Sequence, residues 1–268
     1  MNLLPILLCL LAPIPGSPST AATTSDVQDP LETMSPRDAR AIQRYLPGIV
    51  LGPVKDIDAI DVAEEWWPLK ATRLECERPN DPKKTVEVMI ESVPRAAGSP
   101  IDDPKTGWAL ELPGGTTRFL ELDDKKRLVS PTTVSKSNGL IIRMNPPEPF
   151  VLPGTEDGKP VSKKIKIDIY DLHSPTSVAY SGTVDCSWTD LGGWRVRVPM
   201  GEYDTRLVRI EYRGGVGPAS VKGDNYFFLA KGIGPVAYTD FRNISAFIIF
   251  SETNKKSGKV KAISHPAK

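Results

Sequence analysis

Apolar and polar residues alternate with a period of two along much of this chain, and the alternation is cleanest beyond residue 160. Ile165, Ile167 and Ile169 fall on one face against Lys164, Lys166 and Asp168. Val178, Tyr180, Gly182, Val184, Cys186 and Trp188 make a second series, opposed by Ala179, Ser181, Thr183, Asp185, Ser187 and Thr189. Trp194, Val196 and Val198 oppose Arg195 and Arg197, and Val208, Ile210 and Tyr212 oppose Arg209 and Glu211. Successive side chains of a strand point to opposite faces, so each series predicts a strand with one buried and one wet face, as in antiparallel sheet.

The most apolar stretch, 224–250, predicts three strands in succession, at 226–230, 235–241 and 245–251. Gly232 and Gly234 suit a hairpin turn between the first two, because glycine adopts positive φ without steric cost. Residues 240–243 would make the next turn. The third strand is apolar on both faces, with Ala246, Ile248 and Phe250 against Phe247 and Ile249, which predicts a central, doubly covered position.

Upstream, strands are predicted at 69–77, 85–93, 108–112, 117–122, 127–130 and 139–144, and a short last one at 259–263. Two helical pieces precede them. The first spans 36–45, with Ser35 as N-cap and Pro36 at the first helical position, and stops at Pro47-Gly48. The second spans 57–67 and stops at Pro68, bringing Trp66 and Trp67 to the core. Pro146, Pro147, Pro149 and Pro153 force an extended, polyproline-like crossing over 146–154, the best internal boundary between an earlier and a later half, whose Phe150, Val151 and Leu152 call for burial.

Composition narrows the class. Of 268 residues, 25% are charged and the formal net charge is +1, with no excess to draw the chain to nucleic acid or an anionic membrane. Proline, at 26, and glycine, at 21, point to many turns. Residues 1–21 read as a secretory signal peptide: an apolar run over 3–11, a proline-broken stretch, then Ser19-Thr20-Ala21. Cys9 follows Leu8 rather than the small residue a lipid anchor needs, and no stretch is long and apolar enough to be a transmembrane helix. The expected location is therefore export to the periplasm or the extracellular space, with a flexible segment over 22–35 and a single β-rich domain over 36–268.

Export changes the reading of the two remaining cysteines. Cys76 and Cys186 are candidates for a disulfide, whose loop of about 110 residues would add roughly 4–5 kcal/mol in the chain-entropy model. Two separately buried thiols are the alternative. Two histidines and two cysteines without close spacing make no zinc site, and no metal or cofactor is expected.

Other patterns resemble chemistry only as text. Gly232-Ile233-Gly234-Pro235-Val236-Ala237 matches a dinucleotide fingerprint, but the residues after it have strand composition where a helix N-terminus must stand. Asp171, His173 and Ser174 are triad residue types, yet triad members meet through the fold and not as neighbours, so a turn is expected. Asp123-Asp124 reads as a hairpin tip. Asn243-Ile244-Ser245 is a glycosylation sequon, meaningful only in a eukaryotic secretory pathway. No catalytic residue is singled out.

An apolar strand, Pro146-Pro147-x-Pro149, Val198-Pro199-Met200-Gly201-Glu202-Tyr203 and Tyr226-Phe227-Phe228-Leu229-Ala230-Lys231-Gly232-Ile233-Gly234-Pro235-Val236 together resemble a set of uncharacterised secreted bacterial proteins. Their sheets are similar to the curved antiparallel half-barrels of periplasmic lipoprotein carriers. The resemblance covers about residues 139–250 and rests on turn and core residues; Pro235 departs from it, where leucine is common. The expected fold is mainly β, a curved antiparallel sheet or half-barrel with one or two short N-terminal helices. The expected function is a non-enzymatic cell-envelope or secreted binding module, with an apolar or lipid-like ligand or another envelope protein as partner. The alternatives are a hydrolase acting on envelope polymers through carboxylates, and a structural or partner-docking protein.

Overall fold

A computed structural model describes residues 29–67, 69–79, 81–93, 107–112, 114–246 and 250–265. The first helix, α1 (Pro36–Tyr45), begins as its sequence predicts. Ser35 caps it by accepting from the Asp38 backbone N–H at 3.2 Å, and Pro36 occupies the first turn, where no N–H is needed. The second, α2 (Ala63–Trp66), is a single turn rather than the expected 57–67. Ile57, Ile60 and Val62 are β-branched and Asp58 and Asp61 favour turns, so 57–62 does not take up a helix.

The strands are β1 (Val50–Val54), β2 (Thr72–Arg78), β3 (Asp81–Val93), β4 (Gly107–Leu112), β5 (Thr116–Leu122) and β6 (Leu128–Ser135). They continue with β7 (Leu140–Val151), β8 (Val161–Asp171), β9 (Ser174–Val198) and β10 (Gly201–Val216). The last are β11 (Ala219–Ala230), β12 (Gly234–Ala246) and β13 (Phe250–Ser264). From β2 to β13 each strand pairs antiparallel with the next in sequence, and β13 returns to β2, with Val260 opposite Cys76 and Ile263 opposite Leu74. The result, among the described residues, is a closed barrel of 12 strands rather than a half-barrel. β1 lies outside this ring, paired to the C-terminal part of the 25-residue β9.

Three expectations are corrected within the sheet. The stretch 245–251 is no strand of its own: its ends belong to β12 and β13, which pair Ala246 with Phe250, and 247–249 lies outside the described residues. Residues 240–243, expected as a turn, lie inside β12. The proline stretch is not a crossing between two halves either. Pro146 to Val151 continue β7, paired to β6 through bulges, while pairing to β8 stops at Asn145. Proline has no N–H to offer a second neighbour, so β7 loses one partner there and keeps the other.

The alternation sorts side chains into two cores. Inside the barrel lie Leu74, Cys76, Val88, Ile90, Leu110, Leu120, Phe150, Ile165, Cys186, Trp188, Val208 and Ile210. Outside it, Tyr226, Phe228, Val196, Val198 and Leu207 are covered by residues from the N-terminal segment, among them Leu31, Met34, Ile42 and Leu46. Leu31 and Met34 are buried, so the segment expected to be flexible is packed from there on. Its earlier residues and the expected signal peptide lie outside the described residues.

A barrel of about eight strands is filled by its own inward side chains, and one of about 16 leaves an aqueous channel. This barrel lies between, and part of its interior is filled by a plug from the chain before β2. Ile57, Ile60, Ala63, Trp66, Trp67 and Leu69 pack into the lumenal core. Lys231, in the β11–β12 turn, holds the plug through Asp58 at 2.8 Å and Glu65 at 2.9 Å. The Gly154 N–H donates to the Ile60 carbonyl at 2.8 Å from the β7–β8 loop, fixing the plug at that end of the barrel.

Candidate functional site

Among the described residues, the lumen that the plug leaves unfilled has two cavities lined by Arg118. Arg118 stands on β5 in the inward register with Leu120 and Leu122, a charge in an otherwise apolar series. Its Nη1 donates to Glu148 Oε1 at 2.8 Å, with both side chains almost fully buried. The Tyr212 hydroxyl donates to the same carboxylate oxygen, and the guanidinium lies 5.1 Å from the centre of the Phe150 ring. A buried ion pair is tolerable only where further hydrogen bonds satisfy it. Tyr212 supplies one, but Arg118 Nε has no partner.

Phe150, Trp67 and Phe227 form an aromatic cluster beside Arg118, with ring centres 4.9 Å apart for Trp67–Phe150 and 5.8 Å for Trp67–Phe227. Trp188 Nε1 donates to the Phe150 carbonyl at 3.2 Å, holding β7 where it has left β8. The smaller cavity, about 70 Å³, lies beside this cluster, and Trp67, Asn225, Tyr238, Asp240 and Lys256 are among its lining residues. Trp67 Nε1 and Asn225 Oδ1 have no hydrogen-bond partner there. A space of that size with polar groups on its wall suits water better than an organic ligand.

The larger cavity, about 190 Å³, is built differently. Arg118, Glu148, Tyr212 and Thr133 form its polar end. Ile142, Met144, Ile165, Ile167, Ile169, Val184, Val216 and Val221 make the remaining wall aliphatic. Ile169, Val216 and Ala219 stand within two residues of their strand ends, so the cavity reaches the end of the barrel opposite the plug. Beyond it the inward series of β9 runs out of barrel: Val178 and Tyr180, expected inside, are 46% and 51% exposed. They form an apolar rim.

The expected disulfide is not formed: Cys76 and Cys186 are free thiols, each buried in the lumenal core. Four strands, β10 to β13, separate β2 from β9. At about 4.8 Å per strand a ring of 12 is roughly 18 Å across, and five steps around it put the two residues almost opposite each other, where a bridge needs Cα atoms within about 7 Å. Burial pushes the Cys76 thiol up to about 12 and raises that of Cys186 as well, so neither is a ready nucleophile.

The remaining sequence motifs resolve into structure. Asp171 Oδ1 accepts from the His173 N–H at 2.7 Å in the β8–β9 turn, so Asp171, His173 and Ser174 do not form a triad. Gly232 and Gly234 take positive φ at the β11–β12 turn, and a strand follows them. Asp123 accepts from the Lys125 and Arg127 N–H groups and pairs with Arg127, closing a hairpin tip. Among the described residues no group of three or more His, Cys, Asp or Glu is placed to hold a metal ion.

The residues that matter most in the lumen were not singled out from the sequence. Arg118 shares the register of Leu120 and Leu122, and Asn225 that of Phe227 and Leu229. A polar residue at an apolar position of a clean alternation is the signal that could have found them.

The sequence matches no protein-family model and no curated protein. Two solved structures are loosely similar in fold. One, from Bacteroides fragilis, is named as a candidate exported protein with a YMCC-like fold; at 10% identity and a TM-score of 0.35 it matches 75% of this chain and 99% of its own. The other, from Parabacteroides distasonis, is named as a candidate lipoprotein; at 9% identity and a TM-score of 0.36 it matches 78% of this chain and 100% of its own. The likeness is one of β architecture and carries no assignment of function.

Proposed function

We propose that this chain is an exported, non-enzymatic binding protein that holds an apolar, chain-shaped ligand in the lumen of its barrel. The observation that carries the reading is the larger cavity: inside a closed wall, aliphatic over most of its length, and reaching the unplugged end. Ligand sites are concave and mostly apolar, with a few placed polar groups. About 190 Å³ is below the size of a drug-binding pocket but above that of a cavity which takes up benzene, so it suits a thin chain of roughly eight carbons. A carboxylate-based hydrolase is less well supported. The lumenal acid that lines this cavity, Glu148, is tied to Arg118 and Tyr212 rather than left to shuttle a proton. The secretory character of residues 1–21 supports the exported location.

The test is thermal stabilisation of the purified protein by straight-chain alcohols of increasing length, with native mass spectrometry to count bound molecules. Stabilisation should grow with chain length to about eight carbons and then level off. Ala219→Phe, which places a ring at the cavity end, should abolish it. Stabilisation that ignores chain length, or survives in the Phe variant, refutes the reading.

A further inference from the structure

We infer that the polar end of the larger cavity selects a neutral oxygen head, an alcohol or an ester, over a carboxylate or an amine. This deepens the preceding reading and rests on it. Arg118 and Thr133 are directly opposed across β5 and β6, and Thr133 is in turn opposed to Ile142 on β7. Directly opposed side chains on one face have Cβ atoms about 5 Å apart, so one small head reaches both. Arg118 and Thr133 are 5% and 6% exposed, yet Arg118 Nε and Thr133 Oγ1 lack any hydrogen-bond partner. Burying a polar group unpaired is costly, and native proteins pair nearly all of them. What is missing is an acceptor for the Arg118 N–H and a partner for a hydroxyl. One alcohol or carbonyl oxygen, accepting from both, supplies the two together.

The charge of the head follows from the groups already present. Arg118 is neutralised by Glu148, whose contacted oxygen also accepts from Tyr212. The remaining wall is aliphatic, so an added carboxylate would leave an uncompensated negative charge beside Glu148 in an apolar medium. An ammonium would be equally uncompensated beside Arg118. Unpaired buried charge is strongly disfavoured, whereas a neutral oxygen costs only its desolvation and recovers hydrogen bonds. The chain then runs from Thr133 along Ile142, Ile167 and Ile169 toward Tyr180 at the rim, so a longer tail extends past the barrel end.

The experiment compares octanol, octanoate and octylammonium at pH 8 by titration calorimetry, on the wild type and on Thr133→Val. Octanol should bind at least about tenfold more tightly than either ion. Thr133→Val should weaken octanol about three- to tenfold, one hydrogen bond's worth. The same variant should leave the unliganded protein as stable as before or more so, because it removes an orphaned hydroxyl, and that separates ligand contact from a structural role. Octanoate binding as tightly as octanol, or octanol binding unchanged in Thr133→Val, overturns the head-group assignment while leaving a chain-binding lumen intact. Failure of all three compounds to bind overturns both.

Discussion

At the scale of single residues, the lumen is organised by a charge that its neighbours make tolerable. Arg118 is held by one carboxylate, and Glu148 by one guanidinium and one phenol. Removing one partner of a buried pair leaves the other uncompensated. Arg118→Met should therefore cost about 3–5 kcal/mol in denaturant unfolding, and adding Glu148→Gln should recover much of it. A double variant no more stable than the single one would show that Glu148 is not the burdened group. Asp38 plays the corresponding part outside the barrel. Burial alone would raise its carboxyl, but hydrogen bonds from Ser35, Arg209 and Tyr226 outweigh that and hold it below the usual carboxylate range. A lowered folded-state value stabilises the fold above the unfolded value and is lost as pH falls through the folded one. The Asp38 clamp should thus be complete at neutral pH and fade below about pH 4. Melting temperature should fall less steeply on acidification in Asp38→Asn than in the wild type; parallel curves would refute the clamp.

At the scale of elements, three packing arrangements set the shape of the lumen. The plug fills one end with Trp66 and Trp67. The prolines of β7 release it from β8, and Trp188 bridges to Phe150. On β13, Gly258 stands opposite Tyr238 in the ladder, beside Cys76 of β2. A Cβ at Gly258 would lie 2.6 Å from the Tyr238 ring and 3.1 Å from the Cys76 Cβ, closer than side chains pack. Gly258→Ala should cost about 1–3 kcal/mol by overpacking, and Tyr238→Leu in the same chain should restore part of it. An alanine variant with unchanged stability would mean that the ring moves aside freely.

At the scale of the whole molecule, closure rather than covalent bridging joins the two ends of the chain. β13 meets β2 across roughly 190 residues of sequence, and the two cysteines on the inner wall remain apart. A reducing agent should accordingly leave the melting temperature unchanged. Cys76 and Cys186 should resist a thiol reagent in the native state and react once the chain is denatured. A melting temperature that drops on reduction would require a bridge that this fold does not contain.

Strand identity was set locally. The period-2 series placed β8, β10 and the C-terminal part of β9, and Ser35-Pro36 placed the helix start, because side-chain alternation and capping depend only on residues a few positions apart. Strand ends were less legible: the stretch 245–251 has the apolarity of one core strand, yet Ala246 closes β12 and Phe250 opens β13. Whether the sheet closed was not written in any local pattern. An edge strand and a paired one have the same alternation, and Leu74 or Val260 would look alike in a half-barrel. Closure, the plug, the separation of Cys76 from Cys186, and the meeting of Arg118 with Glu148 and Tyr212 all follow from which distant strands become neighbours. That choice belongs to the ring as a whole, since the register of each pair is constrained by every other pair around it.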